Sequence, residues 1–176
     1  MANEVTVLEQ QSGHGGTVTG MHIHPWHDKG LADLLLTSSV DWTVKLWNAS
    51  GGNTDSNTDS DTGKAFEPLL EFRNRSYDYV VEVAWSSINP TLFATITSGC
   101  ELVLWNITRS CVDASCTFKV ASEQDDDKLV SARSAMAGGS RLPPRTLNRL
   151  AWAADGRRVL VGDNRGQVST EPEPER

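Results

Sequence analysis

Residues 34–48 read LLLTSSVDWTVKLWN, and this stretch decides the fold. Leu34, Leu35 and Leu36 open an apolar run suited to a buried strand. Asp41 and Trp42 follow, and then Val44 and Leu46 alternate with Thr43, Lys45 and Trp47. The pattern predicts a strand, a tight turn and a second strand. An Asp suits such a turn, because its carboxylate accepts backbone N–H groups and the residue tolerates unusual backbone angles.

Outward from this hairpin the chain repeats itself. Upstream, Gly13-His14 leads into TVTGMHIHP at 17–25, where Val18, Met21 and Ile23 mark the core side of an inner strand. Downstream a second copy runs through YVVEVAWS (79–86), Asn89-Pro90, LFATIT (92–97) and LVLWN (102–106). A third starts at LNRLAW (147–152), turns at Asp155-Gly156 and continues as RVLVG (158–162). Short outer strands are predicted at 68–72 and 116–120, with a matching piece at 5–8 ahead of the first copy. The order Ser39-x-Asp41-x-x-Val44-x-Leu46-Trp47-Asn48 resembles the inner hairpin of a WD-repeat blade, with Trp-Asn where that family usually has Trp-Asp.

Trp47 and Trp105 stand 58 residues apart by number, longer than a blade period of ~40–45. Polar inserts account for the excess: ASGGNTDSNTDSDTGK at 49–64 and SEQDDDKLVSARSAMAGGSRLPP at 122–144, rich in Gly, Ser, Asp and Pro and without apolar period. The expected organisation is an outer strand of a preceding blade (1–12), a blade at 13–72 carrying the insert 49–64, and a second blade at 73–121. A disordered polar insert (122–144), a partial third blade (145–170) and an acidic Pro-Glu tail (171–176) complete it. In that tail Pro and like charges are expected to end the last strand. The fold class is therefore all-β, with about two full propeller blades plus partial flanking ones. Such blades are stable only when stacked, and rings close with ~4–8 of them, so the ring is incomplete. Exposed blade faces predict poor solubility in isolation.

Composition narrows the function. The 176 residues include 38% hydrophobic and 22% charged side chains and six Trp, which fits a globular chain. A net charge of −7 argues against nucleic acid or an anionic membrane as the main partner. No apolar run reaches the ~18 residues of a membrane span, and the first residues have no basic, apolar leader pattern. Cys100, Cys111 and Cys116 lack zinc-type pairing and read as reduced thiols.

His14, Ser39, Asp41 and Trp47 fall where WD-repeat blades build a hydrogen-bonded chain from lead-in loop to strand to turn to indole. A His-Ser-Asp set can also mimic a catalytic triad, but a serine inside a strand has no access to a substrate. In the second copy Ser76 takes the His position and Gly99 the Asp position, so catalysis is not expected. His22, His24 and His27 are the best metal candidates, yet no carboxylate or Cys stands at useful spacing, and they read as polar alternates of a strand. The run from Asp55 fails as a calcium loop, with Ser60 where Gly is required and Phe66 where Glu is required. No catalytic, cofactor or metal residue is assigned.

Trp42 after the turn Asp is unusual, since Gly is the common choice. Taken with Tyr77-Asp-Tyr-Val80, Val83-Ala-Trp-Ser86, Asn89-Pro-Thr-Leu-Phe-Ala94, Leu102-Val-Leu-Trp-Asn106, Leu147-Asn-Arg-Leu-Ala-Trp152 and Val161-Gly-Asp163, it resembles the C-terminal propeller of cytoplasmic dynein intermediate chains. The likeness runs in order from Gly13 to Val168, and both inserts are longer than the family leads one to expect. The resemblance implies a non-enzymatic subunit of a microtubule motor in the cytoplasm and cytoskeleton. It implies partnership with the dynein heavy chain and other dynein subunits, and no nucleic acid, membrane or small-molecule substrate. A flagellar (axonemal) intermediate chain or another WD-repeat scaffold is the alternative. Propeller partners usually dock on loops at the rim, and Arg73, Arg75 and Tyr77 in the lead-in to the second blade are the candidate contacts.

Overall fold

The structure is a computed structural model that describes residues 13–27, 30–49, 67–120 and 144–172. Those residues form eleven strands and no helix. The first blade holds β1 (Val18–Ile23), β2 (Leu34–Ser39), β3 (Thr43–Asn48) and β4 (Leu70–Arg73), paired in that order. The second holds β5 (Val80–Trp85), β6 (Leu92–Thr97), β7 (Glu101–Asn106) and β8 (Cys116–Lys119). A three-stranded sheet follows: β9 (Leu147–Trp152), β10 (Arg158–Asp163) and β11 (Val168–Pro172). All pairings are antiparallel meanders, and the blades stack in sequence order through their inner strands β1, β5 and β9. The ring is not closed among the described residues.

Two apolar layers hold the stack. Between the first and second blades lie Leu36, Val44, Leu46, Phe72, Val83, Trp85, Phe93 and Trp105, all buried. Between the second and third lie Ala94, Ile96, Leu102, Leu104, Leu147, Leu150, Val159 and Val161. Alternation along each strand of the second blade sends one set to each neighbour, which is why β6 and most of β7 are buried on both sides.

Two expectations need correction. Met21 and Ile23 are 66% and 62% exposed, although their counterparts in the second blade, Val83 and Trp85, are buried. They face where a preceding blade would stack, and no described residue covers that side. The second concerns the end of the chain: Glu171 and Pro172 continue β11 instead of ending it, pairing with Val159 and Arg158. β11 is an edge strand, where a Pro removes no ladder bond from a second neighbour. The piece at 5–8, the run from Asp55 and both polar inserts, save Ala49 and Pro144, lie outside the described residues.

Candidate functional site

The strand-to-turn hairpins and the lead-in loops meet at one end of the sheets. In the first blade His14 is the connector. Its Nδ1 lies 3.0 Å from Asp41 Oδ2 and 3.1 Å from Thr43 Oγ1, and its Nε2 lies 2.7 Å from Thr37 Oγ1. Thr37 also accepts the indole N–H of Trp47 at 2.7 Å. A neutral imidazole with its proton on Nδ1 satisfies this whole line: it donates to Asp41 and accepts from Thr37. Asp41 additionally accepts from the amides of Gly15 and Thr43 and from the Thr43 hydroxyl. Burial opposes the charge of Asp41, but these bonds, led by Thr43 and Gly15, outweigh it and hold the carboxyl below its ordinary range.

Ser39 does not sit between His14 and Trp47. It is fully buried, and its hydroxyl accepts the Asp41 amide at 3.2 Å, bracing the turn. The linking hydroxyl belongs to Thr37, two residues back on the same face. The same bracing recurs at the matching position of each hairpin: Thr97 accepts the Glu101 amide, and Asp163 accepts the amides of Arg165 and Gln167. Asp163 is also paired with Arg145 at 2.6 Å, both side chains nearly out of solvent.

The second blade keeps half of the line. Trp105 donates to Thr95 at 3.2 Å, as Trp47 does to Thr37. Ser76 stands at the His14 position, and Gly99 stands at the Asp41 position, where the Asp78 side chain occupies the space a Cβ would take. A Cβ there would come within 2.2 Å of the Asp78 carboxylate. The third sheet keeps neither partner, with Val161 and Glu171 at the Thr and Trp places.

The outer surface of this end is aromatic, with arginines each paired to a carboxylate. Trp42 and Tyr77 meet edge to face, centroids 5.9 Å apart, and both have left-handed backbones with φ of 69° and 57°. For a bulky residue that region carries strain of ~1–3 kcal/mol, and such strain collects at functional surfaces. Tyr77 is 69% exposed and Trp42 is partly so; Tyr79 is exposed as well and does not pack between blades. Arg73 pairs with Glu71, and Arg75 with Asp113, in solvent-facing contacts. Trp42 was legible only as an oddity after the turn Asp; the structure makes it part of this surface. Trp42→Gly relieves the strain and forfeits one exposed contact, so unfolding free energy should change by less than ~1 kcal/mol in a urea titration. A loss above twice that value would make Trp42 a structural residue.

The HIHPWH segment is structural where it is described. His24 is buried against Trp85, and its Nε2–H donates to the Pro90 carbonyl at 3.0 Å. His22 accepts the Trp85 amide on Nδ1 at 3.0 Å, a bond from the first blade to the second. Among the described residues no group of three or more His, Cys, Asp or Glu is placed to hold a metal ion. Burial, then the neighbouring His24, lowers the pKa of His22. The unfolded chain thus takes up the proton first, so the His22 contribution to stability is present above the ordinary value of ~6.5 and is lost as pH falls through the folded value. Urea midpoints should drop between pH 7.5 and pH 5, and His22→Gln, which keeps an acceptor, should flatten that part of the profile.

Known proteins fit this geometry. The family model described as WD domain, G-beta repeat, matches residues 5–48, which include the whole His14–Asp41–Thr37–Trp47 line. Residues 5–48 thus carry a WD40 repeat. By shape, these blades are similar to the WD40 domain of Toxoplasma gondii coronin, with a TM-score of 0.61 over 91% of this chain and 32% of that one. At 14% identity that likeness speaks for the fold alone. In sequence, the chain is 31% identical over 163 residues to cytoplasmic dynein 1 intermediate chain of Drosophila melanogaster. That alignment takes in 92% of this chain and spans 19% of the length of the fly protein. The relative belongs to the family that the ordered blade motifs resemble.

Proposed function

We propose that this chain forms part of a non-catalytic WD-repeat subunit of the cytoplasmic dynein complex. In this reading the turn end of its blades grips the dynein heavy chain during microtubule-based transport, in the cytoplasm and on the cytoskeleton. The observation that carries it is the 31% identity that runs through all three sheets and not through one generic hairpin. Supporting it, the His-Asp-Thr line is consumed in holding a loop, and the serine that completes a triad-like set is buried and bonded to the Asp41 amide, not to His14. Strands are used up in stacking, which leaves the loops as the binding surface.

Arg73, Arg75 and Tyr77 are the contacts on this reading. Their side chains are accessible, and none supports the buried layers. Guanidinium groups suit carboxylates on a partner, and an exposed Tyr suits an anchoring role. The test is capture of a dynein heavy-chain tail by the chain and by the triple variant Arg73→Ala, Arg75→Ala, Tyr77→Ala. Recovery should fall at least ~tenfold while the melting temperature holds, as expected when interface anchors are truncated. Undiminished recovery removes the rim assignment; absence of capture by the unmodified chain removes the dynein reading.

A further inference from the structure

The two four-stranded blades differ at one place in a way that creates a cleft. In the first blade the imidazole of His14 lies against Trp47, centroids 6.4 Å apart at 70°, and is bonded to Thr43. Beside it Lys45 reaches Glu71 and the Gly13 carbonyl and closes the surface. The strand registers place Ser76 at the His14 position, Glu101 at Thr43, Val103 at Lys45, Trp105 at Trp47 and Thr117 at Glu71. Three of those replacements remove bulk: imidazole to hydroxymethyl, lysine to valine, glutamate to threonine. The outcome is an open cleft of about 230 Å³ between the first and second blades, bordered by Arg73, Arg75, Ser76, Glu101, Val103 and Trp105. That volume is several times a water molecule's ~30 Å³ share of the liquid.

The lining defines what fits. Trp105 and Val103 supply an apolar wall and an aromatic edge. Glu101 supplies a carboxylate, which accepts the Ser76 hydroxyl at 3.1 Å. The space thus repeats the surroundings of His14 with the ring missing and with a carboxylate in place of the threonine hydroxyl. We propose that this cleft is a binding site for an imidazole group, occupied by a histidine side chain of a partner segment. A ring N–H donates to Glu101, and the ring face or edge packs on Trp105 as His14 packs on Trp47. The bond from a ring N–H to the carboxylate favours histidine over a purely apolar side chain of the same size, while Arg73 and Arg75 in the lining favour the neutral ring. Arg73 and Arg75 line this cleft, so it belongs to the arginine rim, but imidazole binding is read without a heavy chain and stands or falls apart from that reading.

Imidazole itself is the probe, titrated into the full chain and followed by the indole and amide NMR signals of Trp105 and Ser76, with tetrahydrofuran as a five-membered ring that has no hydrogen to donate. A five-atom ligand at the efficiency ceiling for very small molecules reaches no better than a Kd in the micromolar-to-millimolar range. Saturable shifts at Trp105 are expected, with the Trp47 indole unmoved and tetrahydrofuran at least ~tenfold weaker. Ser76→His fills the cleft from within and should abolish the response. Val103→Lys restores the residue of the first blade, closes the cleft by another route and should weaken it at least ~tenfold, so the test survives if either variant does not fold. Non-saturating shifts, equal binding of tetrahydrofuran, or an undiminished response in both variants would overturn the proposal.

Discussion

Trp47→Ala lowers the unfolding free energy of the chain by about 3–5 kcal/mol, measured by urea titration with tryptophan-independent circular dichroism. Trp47 is 3% exposed and lies on the face of β3 opposite Val44 and Leu46, against His14 and Thr37. Its removal leaves a cavity that the flanking strands cannot fill, and it strips a donor from Thr37. The effect exceeds that of Asp41→Ala, expected at ~1–3 kcal/mol, because Asp41 contributes bonds and not volume. In that variant His14 and the amides of Gly15 and Thr43 lose their common acceptor. Equal stability of both variants and the parent chain would sink the reading of this line as a clamp.

Phe93→Ala should be as costly, ~3–5 kcal/mol, for a different reason. Phe93 is fully buried in β6, directly opposite Trp85 on β5 and Trp105 on β7. Phe72 of the first blade inserts edge-on against this row, 4.9 Å from Phe93 and 5.5 Å from Trp105. Truncation removes the residue on which both the row and the contact between blades depend. Phe93→Leu, which keeps most of the volume, should recover more than half of the loss. If Phe93→Ala costs under ~1 kcal/mol, the blades are not coupled through this cluster.

Much of this was legible beforehand. The period-two alternation of residues 43–47 and 80–85 placed β3 and β5 to within a residue, because a blade interior leaves no other face for those side chains. The linking hydroxyl was not legible. Thr37 and Ser39 lie on one face of β2, so counting cannot separate them. The register decides: Trp47 sits opposite Leu35, and the diagonal neighbour within reach of its indole is Thr37. Nor could alternation say which neighbour each face of β1 meets. Its bulge between Val18 and Gly20 shifts the phase, and His22 and His24 turn toward the second blade while Met21 and Ile23 turn away. The cleft was hidden for a further reason, since Ser76 reads as an ordinary loop serine until the first blade shows what occupies that place.

The meander order of the sheets also governs how the chain is assembled and dismantled. Among the described residues each strand pairs only with the strand before or after it, and each blade touches only the blade next to it. No pairing among the described residues waits for a distant segment, so the strands of a blade can pair as they leave the ribosome, and the blade becomes stable once the next one stacks on it. Cooperativity in such a stack is limited to adjacent units. A load applied at the two termini would accordingly peel the molecule in steps, and the three-stranded sheet, with the fewest ladder bonds, would yield first.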